Sequence, residues 1–426
     1  MNRRQFLILL AGAGAGLASV YAFKPSRKGA PYSPYFKSLN EELKKNGTHR
    51  PAMLVDLDIL DRNIDTLMKG FGRDQQYRVV VKSLPSPDLL DHIMKRARTP
   101  RLMVFHQPFL SHVAEKFPRS DVLMGKPMPV ESAHIFYRRF SRRSGFDPSR
   151  QLQWLVDTEE RLSRYQELAR AQNLKLKINV EIDVGLHRGG VRAPSDLVPI
   201  LDRILADPAH LEFSGFMGYD PHVVKIPRII TSPAAAYARS QKRYGEFIDM
   251  ARKHRGGIRI DGLCLNGAGS PTLRLHKAGS LARDLSAGSC LVKPTDFDIT
   301  SLDDFIPASF IATPVLKKLG HTFIPGIEAA EGLTSWWDPN SEQSFFIYGG
   351  KWMARYESPE GLQNNGLYGQ STNQHMVNGS GKIPLNVGDH IFLRPEQSEF
   401  VFLQFGDILP LRGGKITGQW PILRQG

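Results

Sequence analysis

Apolar residues recur along this chain in two alternating rhythms. Short continuous runs at Ala52–Asp56, Tyr77–Lys82, Arg101–His106, Asp121–Met124, Leu152–Val156, Leu176–Asp183, Leu211–Met217 and Gly257–Leu265 read as strands buried on both faces. Helical spacing fills most of the gaps. Asp58 can cap a helix with Leu60, Ile64, Leu67 and Met68 on one face. Ser86-Pro87 opens another, burying Leu89, Leu90, Ile93 and Met94. Thr158–Gln172 presents Leu162, Tyr165 and Leu168; Pro194–Ala206 presents Leu197, Leu201 and Ile204; Ser232–His254 opens on Ser-Pro. Repeated strand–helix alternation predicts a parallel sheet. About eight such units over about 250 residues fit a TIM-type (β/α)8 barrel better than an open sheet.

Beyond about Asp298 the helical rhythm fades. Ser344–Tyr348, His390–Leu393 and Glu399–Leu403 are short, rich in aromatic or β-branched residues, and bounded by Gly, Pro or Asp. The expected organisation is therefore a polar lead-in at 24–50 with a short helix around Leu39–Lys45, a barrel at 51–298, and a β-rich C-terminal domain at 299–426.

Composition changes this picture little. The 426 residues carry a net charge of +14, from 56 basic and 42 acidic side chains. The basic residues are scattered and no nucleic-acid motif is present, so a solvated basic surface is the expected reading. Cys264 and Cys290 both sit in apolar context and read as buried free thiols. The first 23 residues read apart from the fold. Met1-Asn2-Arg3-Arg4-Gln5-Phe6-Leu7 followed by a Gly/Ala-rich apolar stretch, with Val20-Tyr21-Ala22 as a cleavage site, predicts a twin-arginine export signal. Its handler is the twin-arginine machinery and its destination the periplasm, the alternative being an uncleaved inner-membrane anchor.

Three distant segments carry candidate chemistry. Lys82 ends one apolar run, at the end of a barrel strand where active sites lie. An apolar mouth there favours the free amine and imine formation; the commoner alternative is a solvated lysine. Arg188, in Val184-Gly185-Leu186-His187-Arg188-Gly189-Gly190, can grip a phenolate or carboxylate, or simply pair with Asp183. Gly267-Ala268-Gly269-Ser270, following what reads as the last barrel strand, suits a phosphate cradle, with Ser270 or Thr272 as hydroxyl donor. Amine, guanidinium and phosphate cradle together suit a phosphorylated aldehyde held as an imine, which is pyridoxal 5'-phosphate (PLP). On the same predicted rim, Tyr219 can bond the cofactor and His222 can handle a proton, or both can be ordinary turn residues. Gln397 and Glu399, two apart on a predicted strand, are candidate metal-facing residues; Gln-x-Glu is a poor transition-metal pair and suits at most a weakly held hard cation.

These segments, in this order, resemble PLP-dependent enzymes with an alanine-racemase-type barrel, in the D-threonine aldolase and D-serine dehydratase branch. Pro51–Ile64 resembles the entry strand, Lys82 with Ser86-Pro87-Asp88-Leu89 the lysine segment, Val184–Val191 the glycine–arginine turn, Gly218-Tyr219 with His222 a Gly-Tyr…His segment, Gly267–Ser270 the phosphate loop, Asp284–Ser289 the run after it, and Gly406–Ile422, ending in Gln419-Trp420-Pro421-Ile422, the closing strands. The resemblance implies a lyase acting on a β-hydroxy D-amino acid, by retro-aldol cleavage or dehydration, in a homodimer. The departures are Val80 and Leu84 where the family flanks its lysine with histidines, and Gln397 and Glu399 where the two lyases hold a divalent metal; His375 matches a family histidine. A racemase or epimerase is the nearest alternative. A non-catalytic PLP-binding protein and a Schiff-base aldolase acting on a phosphorylated sugar are the others.

Overall fold

In the computed structural model, which describes residues 24–277, 279–323, 326 and 333–424, eight parallel strands close into a barrel. A five-residue strand, β1 (Ala52–Asp56), precedes them. The barrel strands are β2 (Gln76–Val80), β3 (Arg101–Val104), β4 (Asp121–Met124), β5 (Leu152–Val156), β6 (Leu176–Glu181), β7 (Leu211–Gly218), β8 (Cys264–Gly267) and β9 (Asp284–Ala287). β9 returns to β2, with Gln76 opposite Asp284 and Val79 opposite Ala287. The helices between them start where their caps predict. Ser86, Thr158 and Ser232 side chains accept from Leu89, Arg161 and Ala235 backbone N–H groups at the heads of Pro87–Ala97, Glu159–Ala171 and Pro233–Lys253.

Several strands differ from expectation. β1, read as the barrel's entry strand, lies in the other sheet, between β10 (Ser309–Leu319) and β16 (Asp407–Arg412). All five of its residues are buried, and a fully buried strand looks alike in either sheet. The run expected over Gly257–Leu265 pairs only from Cys264, because Gly257 and Gly262 take left-handed φ of +61° and +87°. The last barrel strand is Asp284–Ala287, so the Gly267–Ser270 loop follows the seventh. Of Glu399–Leu403, expected extended, all but Leu403 lies in the short helix Ser398–Phe402.

The second sheet is mostly antiparallel. β10 pairs with β11 (Gln343–Tyr348) and β15 (His390–Pro395), and β11 pairs with β14 (Gln374–Gly379). The chain divides into two compact units: 24–54, Phe310–Pro395 and Leu411–Thr417 form one; Val55–Ser309, Glu396–Pro410 and 418–424 form the other. Segment 396–410, expected with the β-rich part, thus belongs to the barrel unit. Among the described residues no helix is long and apolar enough to cross a membrane. The export signal expected at 1–23 lies outside the described residues.

Candidate active site

β2 ends at Val80, and Lys82 sits in the 3-10 turn Val81–Ser83 that follows it at the carboxyl end of the barrel. Buried Val81, Ser83 and Leu84 pin this turn on both sides of the lysine. The lysine Nζ lies 2.7 Å from Glu399 Oε1 and 4.4 Å from the centre of the Phe105 ring. The apolar mouth expected around this amine is therefore half right: an aromatic face on one side, a carboxylate on the other. A cavity of about 180 Å³ opens beside it, lined by Lys82, Arg188, Tyr219, the Asn266 and Ala268–Pro271 turn, and Glu399 among others.

Arg188 is exposed and its guanidinium stacks 5.1 Å from the Tyr219 ring centre. It does not pair with Asp183. That carboxylate instead accepts from the Gly185 and His187 backbone N–H groups and from His187 Nδ1, which ties the turn down and leaves Arg188 free to face the cavity. Burial raises the Tyr219 pKa, against the opposing pull of Arg188, so its phenol stays a neutral donor.

Of the loop after β8, three of the four residues singled out line the cavity. Ala268 takes a left-handed φ of +66° and lines the cavity with Gly269 and Ser270. Gly269 is small for a reason: a Cβ there would meet the Tyr219 ring at 2.7 Å. Gly267 does not line the cavity; its missing side chain makes room for Ala282. The Ser270 hydroxyl accepts from the backbone N–H groups of Gly288 and Cys290 and so joins the loops after β8 and β9. Thr272, expected as a phosphate donor, donates to Asp220 Oδ1 at 2.6 Å instead.

Asp220 and His276 were missed from sequence. Both are fully buried, and His276 Nε2 meets Asp220 Oδ2 at 2.8 Å. With Thr272, this cluster locks the Tyr219 turn to the Gly269 loop. The only signal was an aspartate between the two residues singled out, Tyr219 and His222. His222 itself packs against Gly185, whose Cβ would lie 3.1 Å from Nε2, and is not among the lining residues of the Lys82 cavity. Burial lowers its pKa, and its Nδ1 is buried without a hydrogen-bond partner.

The candidate metal residues diverge. In the observed helical geometry Gln397 caps the helix and donates to Asp296 Oδ2 at 3.2 Å, while Glu399 turns to Lys82. An amide oxygen is a weak ligand, and the two side chains turn to different partners, so they do not form a donor pair for a transition metal. Among the described residues no group of three or more His, Cys, Asp or Glu side chains is arranged to hold one. His375, in the other unit, bonds to Asn364 and to the Ser371 backbone. Cys264 and Cys290 are buried free thiols.

A larger cavity, about 290 Å³, opens at the opposite end of the barrel. Three of its charges are committed to one another, Arg101 bridging Asp121 and Asp284. That end of such barrels carries stability rather than chemistry.

A family model described as alanine racemase, N-terminal domain, matches residues 55–293. No curated protein matches the chain in sequence. Among solved structures, a D-threonine aldolase from Filomicrobium marinum aligns with a TM-score of 0.68 at 18% identity, covering 87% of this chain and 94% of that one. A D-threo-3-hydroxyaspartate dehydratase from Delftia sp. HT23 gives 0.67 at 18% identity, covering 90% and 100%. An alanine racemase from Bacillus anthracis gives 0.65 at 13% identity, covering 88% and 98%. At these identities the likeness is one of fold.

Proposed function

Because the chain belongs to the alanine racemase N-terminal domain family, a fold family of PLP-dependent enzymes, we propose that it is a PLP-dependent lyase acting on a β-hydroxy D-amino acid. The observation that carries the reading is Lys82, a primary amine on the rim of a closed barrel, opening on the same cavity as Arg188, Tyr219 and the Ala268–Ser270 loop.

The residues present fit the cofactor. An amine supplies the covalent anchor, the loops around Gly269 and Gly288 are too tight for side chains, and Ser270 fixes them together. When bound, PLP supplies an electron sink for negative charge at the substrate α-carbon. Lys82 holds the cofactor and then moves a proton at that carbon. Arg188 binds the ring oxygen or the substrate carboxylate, and stacking on Tyr219 orients it. Tyr219 would donate a hydrogen bond to the cofactor from its neutral phenol. The proposal extends to export of the folded chain by the twin-arginine machinery, residence in the periplasm, and a homodimer, supported by the Arg3-Arg4 leader and by the family resemblance.

The test is a screen of the purified, PLP-loaded protein against D-serine, D-threonine and related β-hydroxy amino acids, with and without added divalent ions. An oxo acid with ammonia, or an aldehyde with glycine, is the expected product. Inverted enantiomer alone would replace the lyase with a racemase, and no product from any member of the panel would leave a binding protein.

A further inference from the structure

Among the described residues lining the Lys82 cavity, Glu399 is the one carboxylate; Lys82, Arg188 and Lys225 are the cations. Its placement is built rather than incidental. On the helix Ser398–Phe402, the buried side chains Ser398, Val401 and Phe402 anchor one face and turn Glu399 toward Lys82. Ser398 donates to Ser289 Oγ at 3.3 Å, and Ser289 donates to Ser83 Oγ at 3.0 Å. Ser83 reaches Glu399 Oε1 at 3.5 Å. These serines thus tie the helix to the lysine's own turn and to the turn after β9.

The Lys82–Glu399 pair is open, with side chains 35% and 40% exposed. Such a pair exchanges partners at small cost. If Lys82 is the cofactor lysine, as proposed above, its nitrogen leaves the carboxylate on binding cofactor. A substrate held on that cofactor would bring its side chain beside Glu399, a carboxylate that Lys82 holds only exchangeably and that also accepts the Ser83 hydroxyl. A carboxylate in that position gains from a hydrogen-bond donor and repels another negative charge.

We propose that Glu399 sets the substrate class: amino acids whose side chain donates a hydrogen bond and carries no second carboxylate, of the serine and threonine type rather than the hydroxyaspartate type. Glu399 is a specificity residue that touches substrate, not a metal ligand.

The test compares the full-length holoprotein with Glu399→Gln and Glu399→Asp. Binding of α-methyl-D-serine and α-methyl-D-aspartate, in which the missing α-proton blocks elimination and racemisation but not retro-aldol cleavage, is read from the immediate change in cofactor absorbance, before any aldehyde forms. The wild type should prefer the hydroxyl ligand by at least about tenfold. Glu399→Gln should shrink that ratio toward one, and Glu399→Asp should keep its direction. An unchanged ratio in Glu399→Gln overturns the proposal. So does loss of cofactor loading in Glu399→Gln, because the carboxylate then serves the lysine and not the substrate. Failure of the underlying reading shows separately, as wild-type protein that forms no covalent link at Lys82.

Discussion

Two basic side chains four residues apart, Arg78 and Lys82, meet carboxylates in opposite ways. Arg78 is 0% exposed at the amino end of the barrel. Its Nε and Nη2 grip both Asp284 oxygens at 2.7 and 2.8 Å, and Nη1 donates to the Leu102 and Asp121 carbonyls at 3.0 and 2.9 Å. Lys82, at the carboxyl end, has one carboxylate, one aromatic face and access to solvent. A buried charge whose donors are all engaged is part of the frame, and taking away its partner is expensive. A half-exposed charge with one exchangeable partner is available for chemistry. The same strand and its turn thus hold a structural cation and a reactive one, and burial separates them.

That contrast is testable by removing each cation. Lys82→Ala should abolish covalent cofactor capture, read as loss of the reduced-cofactor label, while shifting denaturant stability of the cofactor-free protein by less than about 1 kcal/mol. Arg78→Ala should do the converse and destabilise by about 3–5 kcal/mol, because buried Asp284 loses its two short contacts to Arg78 and is left with Arg101 at 3.1 Å. A Lys82 variant that unfolds, or an Arg78 variant with wild-type stability, would erase the distinction.

Between these extremes lie the residues that join the two rim loops. Thr272→Val leaves Asp220 Oδ1 without its hydroxyl donor and should cost about 1–3 kcal/mol in urea unfolding. Gly269→Ala places a methyl 2.7 Å from the Tyr219 ring. It should cost about 1–3 kcal/mol and weaken cofactor retention in dialysis as well, since Tyr219 must move. Unchanged retention would mean that Tyr219 does not hold the cofactor.

The smallest effect concerns pH. Burial, aided by Asp157 and opposed by Arg188, pushes the Glu181 carboxyl up to about 7 from an ordinary 4.5. The folded chain then holds a proton that the unfolded chain releases. The associated stability is present below the ordinary value and is lost as pH rises through about 7. Glu181→Gln should flatten that decline in thermal melts between about pH 5 and 7. A steeper decline would contradict the assignment.

Much of this was legible in the chain. Capping residues located the helices, and the strand runs located seven of the eight barrel strands, since position along the strand and burial on both faces leave a local trace. The lysine, the glycine–arginine turn and the small-residue loop were legible because each needs a special residue at a strand end. The membership of β1 in the second sheet was not, because it depends on long-range pairing. The helix at Ser398–Phe402 was hidden by its β-branched and aromatic composition, although Ser398, Val401 and Phe402 do stand at helical spacing. The Asp220–His276–Thr272 lock joins residues up to 56 positions apart, and no local pattern marks it.

Everything functional rests on which amine takes the cofactor. Incubating the full chain with PLP, reducing with borohydride and mapping the labelled peptide by mass spectrometry decides it. A single phosphopyridoxyl group on Lys82 is the predicted result. A label on Lys225 or elsewhere, or none at all, would contradict it.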